Sequence, residues 1–194
     1  MLLNSNTNRD LMKQVPNISR PEVEKQLRAS FQKVKNQMMV EFLNHPVTLE
    51  IKSGVNSKNL SGTLNNVTNL FSFIGFNSSS EPTDAIEALL LRTSFKFDRI
   101  TNMSIEFSID MPDAKEIFEA TPMPWAPGRS WAKGIETGIS GLGYYLKVER
   151  DNSRSGLGIQ SPRKIRKNGV KFNNISYISS LLNKYKKNFE NLEI

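Results

Sequence analysis

Val23, Leu27, Phe31, Val34, Met38 and Phe42 recur every three or four residues, and no other pattern in this chain restricts its fold so strongly. At 3.6 residues per turn these side chains form one stripe on a helix. Its opposite face is Glu, Lys, Gln and Asn. So long a one-sided helix must bury its stripe against other elements, which calls for a core built along it. SRPE at 19–22 supplies the start: Ser19 caps, Pro21 sits in the first turn, and Glu22 closes a capping box. Asn44, His45 and Pro46 end it, because Pro46 has no amide hydrogen and disfavours helix just before itself.

The elements that follow alternate in kind. Val47 to Ile51 alternates apolar and polar residues like a short strand, with a helical continuation as the other choice. A Gly/Asn/Ser loop then runs into LFSFIGF, Leu70 to Phe76, which is too short for a helix and rich in phenylalanine. It reads as a buried strand or as an exposed loop that docks on another chain. A second helix carries Ala85, Ile86, Leu89 and Leu90 inward, with Thr83 as a cap. From 94 to 110 the period changes to two, which means two antiparallel strands or one long bent one. A short helix over Asp113–Ala120 comes next, then TPMPWAPGRSW, then a helix ending near Gly138. Residues 150–171 read as a long loop or hairpin-like arm. A last helix starts at about Ser176 and carries Ile178, Leu181, Leu182, Tyr185, Phe189 and Leu192.

The expectation is an α+β fold, with a small antiparallel sheet packed against the long N-terminal helix and further helices, plus extended arms. Three regions are expected: a flexible arm at 1–18, a core at 19–149, and a basic loop with a C-terminal helix at 150–194. At 194 residues, 38% hydrophobic, the chain fits one core with polar arms.

Charge divides the chain unevenly. Residues 1–143 hold 15 Lys+Arg and 15 Asp+Glu, whereas 144–194 hold 11 and 4, the whole formal +7. PRKIRKNGVK, Pro162 to Lys171, is the densest run. Arg154, Arg163, Lys164, Arg166, Lys167 and Lys171 are therefore candidates to face an anionic partner, either nucleic acid or an acidic protein surface. A solvated basic tail is the plainer alternative. The absence of cysteine excludes disulfides and thiolate chemistry. No apolar run approaches the roughly 18 residues of a membrane span. MLLNSNTNRD has no secretory apolar region, so a soluble protein made in a cytoplasm is expected.

Catalytic patterns are nearly lacking. The single histidine, His45, suits a capping role at a helix end and is too little for a metal site or a serine triad. Glu106, Asp110 and Asp113 are the nearest carboxylate cluster, and they read as solvated strand and cap residues sooner than as a Mg²⁺ site. GISGLG and SGLGIQ match neither phosphate-binding glycine pattern. Phe71, Phe73 and Phe76 lack the interleaved cations of a base-stacking surface, since no basic residue lies between Lys58 and Arg92. No catalytic residue, metal or cofactor is expected. Leu70, Phe71, Phe73, Phe76 and Trp125 are candidates for an apolar interface, with core packing as the alternative.

Three segments together resemble a known class. They are FLNHPVTLEIKSG with NLSGTLNNVTNLFSFIGF, then TPMPWAPGRSWAKGIETGISGLGYYL, then SRSGLGIQSPRKIRKNG with YISSLLNKY. This set is similar to the small neck or tail-completion proteins of tailed bacteriophages related to the minor tail protein family. The shared order is helix, SGTL turn, antiparallel strands, proline-rich approach, helix. The resemblance implies a non-enzymatic virion subunit that forms a ring, commonly of six copies. Such a ring joins the portal and its adaptor to the tail tube, or caps the tube. Contact with packaged DNA through the basic segment is possible within it, and a nucleic-acid-binding protein is the alternative from another class.

TPMPWAPGRSW holds both tryptophans and three of the nine prolines. With no nucleophile, base or metal ligand nearby, it reads as a structural corner. Gly128 permits the bend, Ser130 or Gly128 begins the helix, and Trp131 points inward or toward a neighbouring subunit.

Overall fold

The computed structural model describes residues 20–100, 105–124, 126–139, 146–147, 159–160 and 172–192. Ser19, Trp125, both glycine-rich sets beyond Gly138 and Ile139, the arm 1–18 and all six candidate cations between Arg154 and Lys171 lie outside them.

The fold is α+β. Helix α1 spans Arg20–Asn44, 25 residues or about 37 Å. Val23, Leu27, Phe31, Met38 and Phe42 are buried along it, and Val34 packs at the core's edge. Its partner is the last described helix, α7, Ile178–Glu190, which lies antiparallel to it. Phe31 stacks on Phe189 at 5.3 Å, and Phe42 on Tyr177 at 6.3 Å. Between them Tyr185 Oη donates to Glu41 Oε2 at 2.7 Å, and Lys184 Nζ meets the same oxygen at 2.5 Å. Ile178, Leu181, Leu182, Tyr185, Phe189 and Leu192 are all buried. The residues assigned by sequence to a C-terminal extension thus form one wall of the core. Net charge groups this helix with the basic run before it, but its apolar face belongs with α1.

Val47–Ile51 is helical, not extended. Helix α2 is Pro46–Lys52. His45 caps it, its Nδ1 accepting from the Val47 N–H at 3.2 Å, and Pro46 occupies the first turn. Val47, Thr48, Glu50 and Ile51 are buried while Leu49 is exposed, so the inward set follows a helical face. LFSFI is also a helix, α3, Leu70–Ile74. Asn69 caps its start by accepting from the Ser72 N–H, and Gly75 ends it at φ +82°, which glycine adopts without strain. A cap at each end supports what length alone would not.

Helix α4, Asp84–Leu91, buries Ile86 and Leu90. Thr83 precedes it without a side-chain cap bond. Lys35 of α1 instead reaches the other end, donating to the carbonyls of Leu91 (2.6 Å) and Thr93 (2.7 Å). Strands β1, Ser94–Ile100, and β2, Ile105–Asp110, form an antiparallel ribbon pairing Phe95 with Ile109 and Phe97 with Phe107, with a register shift between Phe97 and Arg99. Helix α5, Ala114–Glu119, is capped by Asp113, whose Oδ1 accepts from the Glu116 N–H at 2.7 Å. Strands β3, Pro122–Met123, and β4, Ala126–Ser130, make a tight hairpin that leads into α6, Trp131–Thr137. A last short pair joins β5, Leu146–Lys147, to β6, Ile159–Gln160.

Candidate functional site

The proline–tryptophan corner is the most tightly connected surface feature. Thr121 Oγ1 donates to the carbonyls of Ile117 (2.9 Å) and Phe118 (3.2 Å), and lies 2.8 Å from Ser130 Oγ. Ser130 Oγ accepts from the Lys133 N–H at 3.1 Å, which caps α6. Gly128, at φ +83°, makes the bend. Trp131 then enters the core, edge-on to Phe76 at 5.6 Å and near Tyr177 at 6.4 Å. Trp131 therefore belongs to the chain's own interior. Trp125 lies outside the described residues.

The apolar interface candidates are corrected by their burial. Leu70, Phe71, Phe73 and Phe76 lie in the core, none more than 4% exposed. A helix capped at both ends turns the whole run inward, and Phe71 packs on Phe76 at 5.4 Å. These side chains are unavailable to another subunit in this fold.

Two carboxylates that composition did not single out organise the interior. Glu50 is fully buried. Its Oε1 accepts from the Leu70 N–H (2.6 Å) and Asn59 Nδ2 (2.9 Å), and its Oε2 from the Ser61 N–H (2.7 Å). Asn59 Oδ1 accepts in turn from the N–H groups of Leu64 and Asn66. This network shapes the whole SGTL loop. Glu136 of α6 does the same for α7, accepting from the Ser179 N–H (2.7 Å) and Ser179 Oγ (2.6 Å). A lone glutamate inside an apolar run, as in VTLEI, was the available signal for Glu50.

The carboxylate trio does not converge. Glu106 pairs with Arg99 across the ribbon at 2.7 Å, which holds its carboxyl below the usual range. Asp113 is spent on capping α5. Asp110 stands alone at the rim of a cleft of about 460 Å³, with Ile109, Met111, Leu182 and Phe189 among its apolar lining and Asp113 and Lys186 on its edge. Among the described residues no group of three or more His, Cys, Asp or Glu is placed to hold a metal ion.

A second groove, about 480 Å³, lies along the other flank of α5, lined by Lys115, Phe118, Pro122, Arg129 and Lys133 among others. Lys115 is 3.8 Å from Glu119. Arg129 and Lys133 have no side-chain ion-pair partner among the described residues.

The basic segment is anchored at both ends. Ile175 N donates to Ile135 O (3.3 Å), Asn173 N to Thr63 O (2.8 Å), and Phe172 stacks on Phe73 at 5.8 Å. A Cβ on Gly138 would lie 3.2 Å from Asn174 Oδ1. The chain therefore leaves the core at Gly138 and returns beside it at Asn174. Residues 140–171, between these points, hold eight Lys/Arg against two Asp/Glu, or six of the seven net positive charges.

His45 makes stability depend on pH. Burial holds its imidazole below the usual value, opposed by a hydrogen bond to the Ser176 backbone and by Glu41. The unfolded chain thus binds this proton more readily than the folded one. The stabilisation is complete above about pH 6.5, the ordinary imidazole value, and is lost as pH falls toward the lower folded one. Chemical denaturation at pH 7.5 and 5.5 is expected to show lower stability at pH 5.5, and the slope is expected to flatten in His45→Asn, which keeps a capping oxygen. Glu41, held low first by its hydrogen bond from Lys184, adds a separate loss only below its ordinary value of 4.5.

Among the described residues no helix is long and apolar enough to cross a membrane. Set against protein-family models, curated proteins and solved structures, the chain matches none of them.

Proposed function

We propose that this chain is a structural virion protein of a tailed bacteriophage, a neck or tail-completion subunit. In this reading copies form a ring, of six in the commonest arrangement, that joins the portal and adaptor to the tail tube. The observation that carries it is the core-and-arm construction. A core closed by α1 and α7 sends out one cationic excursion, 140–171, from two adjoining points. An excursion tied at both ends can reach a neighbour while the core keeps its own packing. The sequence resemblance in the SGTL and PMPWAPGRSW regions supports the same reading.

The test is deletion of residues 140–171 with a short glycine-rich join between Ile139 and Phe172. The variant is expected to keep the cooperative unfolding of the full chain and to be missing from purified particles, as judged by mass spectrometry. Full-length chain missing from the particles would end the proposal.

Nucleic-acid binding is the second reading, favoured by the same six net charges. It requires the isolated chain to bind DNA with an affinity that falls steeply with salt, by a log–log slope of about −0.9 per phosphate engaged.

A further inference from the structure

The acidic cleft and the cationic groove sit on opposite sides of α5, and neither is satisfied within the chain. At the cleft, Asp110 has no ion-pair partner among the described residues, and the edge carries two carboxylates against the single ammonium of Lys186. Its floor is apolar. Across α5, the hairpin β3–β4 presents Arg129 beside exposed Pro122 and Pro124. We infer that the chain associates head to tail, the Pro122–Ser130 hairpin of one copy seating in the Asp110 cleft of the next, with Arg129 opposite Asp110. The inference names the joint of the ring proposed above and rests on that reading.

Three observations carry it. The charges are complementary, with a free guanidinium on one patch and a free carboxylate on the other. The apolar parts match as well, since exposed proline rings find a floor of Ile109, Leu182 and Phe189. The hairpin is already ordered by Thr121, Ser130 and its prolines, so docking immobilises little new chain. A copy cannot fill its own cleft. The N-terminal end of α5 (Asp113, Ala114) lines the cleft while its Lys115–Glu119 flank lines the groove, so the short helix separates them. A second copy has to supply the hairpin. Two different patches then meet at each contact, the heterologous arrangement that closes into a ring or runs on as a filament.

Arg129 and Asp110 are both exposed, so charge reversal at either leaves the core intact. Sedimentation of the full chain is expected to show oligomers that dissociate at least about tenfold more readily in Arg129→Glu and in Asp110→Lys. The double variant, or a mixture of the two single variants, is expected to restore association. Single variants that assemble like wild type, or a double variant that fails to recover, would overturn the joint and leave the ring reading standing. A wild-type chain that stays monomeric at all concentrations, in solution and with particle components, would remove both.

Discussion

Glu50→Ala is expected to lower the unfolding free energy by about 3–5 kcal/mol, one of the two largest losses any single substitution in this chain should cause. The side chain is fully buried and serves three donors: the N–H groups of Leu70 and Ser61 and the amide of Asn59. Each buried donor left unpaired costs about 1–3 kcal/mol, and a cavity adds to that. Some of this is recovered, because Asn59 keeps its contacts with Ser61 Oγ and Thr63 Oγ1. Glu50→Gln should cost less, about 1–3 kcal/mol. It retains one acceptor oxygen but turns an amide N–H₂ toward a backbone N–H. Urea denaturation checks the order wild type, Gln, Ala. Equal stability of all three would show that the SGTL loop does not depend on this carboxylate. Because the Leu70 N–H opens α3, the Ala variant should also loosen Phe71 and Phe73, visible as increased amide exchange across 69–75.

Trp131→Ala should be comparably severe, about 3–5 kcal/mol, as for other large-to-small changes at fully buried aromatic sites. Trp131 is 2% exposed and fills the space between Phe76 and Tyr177. Its loss removes the edge contact to Phe76 and the packing that sets the hairpin on the core. Trp131→Phe should lose much less. Thermal unfolding followed by near-ultraviolet circular dichroism measures both. If Trp131→Ala unfolds like wild type, the corner is not what joins hairpin and core. The head-to-tail joint depends on that hairpin, so the Ala variant should also associate poorly even where it remains folded.

The parts of this fold that were legible in the sequence are those where a period repeats long enough to leave one reading. The stripe from Val23 to Phe42 and the set from Ile178 to Leu192 are both buried as their spacing implies. The period-two run gave the ribbon β1–β2, and Ser130 gave the start of α6. Short elements were harder. In VTLEI a five-residue alternation mimics a strand, and the deciding residues, His45 and Pro46, stand just outside it. In LFSFI the decision lies in Asn69 and Gly75, again the flanks. The partnership of α1 with α7 left no local trace, since each stripe says only that it is covered. The cleft and groove were invisible for the same reason: Asp110, Arg129 and Phe189 are far apart in sequence and meet only through α5.

Glu41 and Tyr185 lie 144 positions apart, yet they are neighbours in the finished core. The first described helix and the last described helix complete each other, which places a constraint on synthesis. Until α7 has left the ribosome, Phe31 and Phe42 have no cover, and the nascent chain carries a 25-residue apolar stripe in the open. Core closure is therefore a late, long-range event, of the kind that folds slowly and exposes sticky intermediates. Polar Glu, Lys and Gln on the other side of α1 then matter in time as well as in place: they keep an unfinished chain dispersed while it waits for its partner.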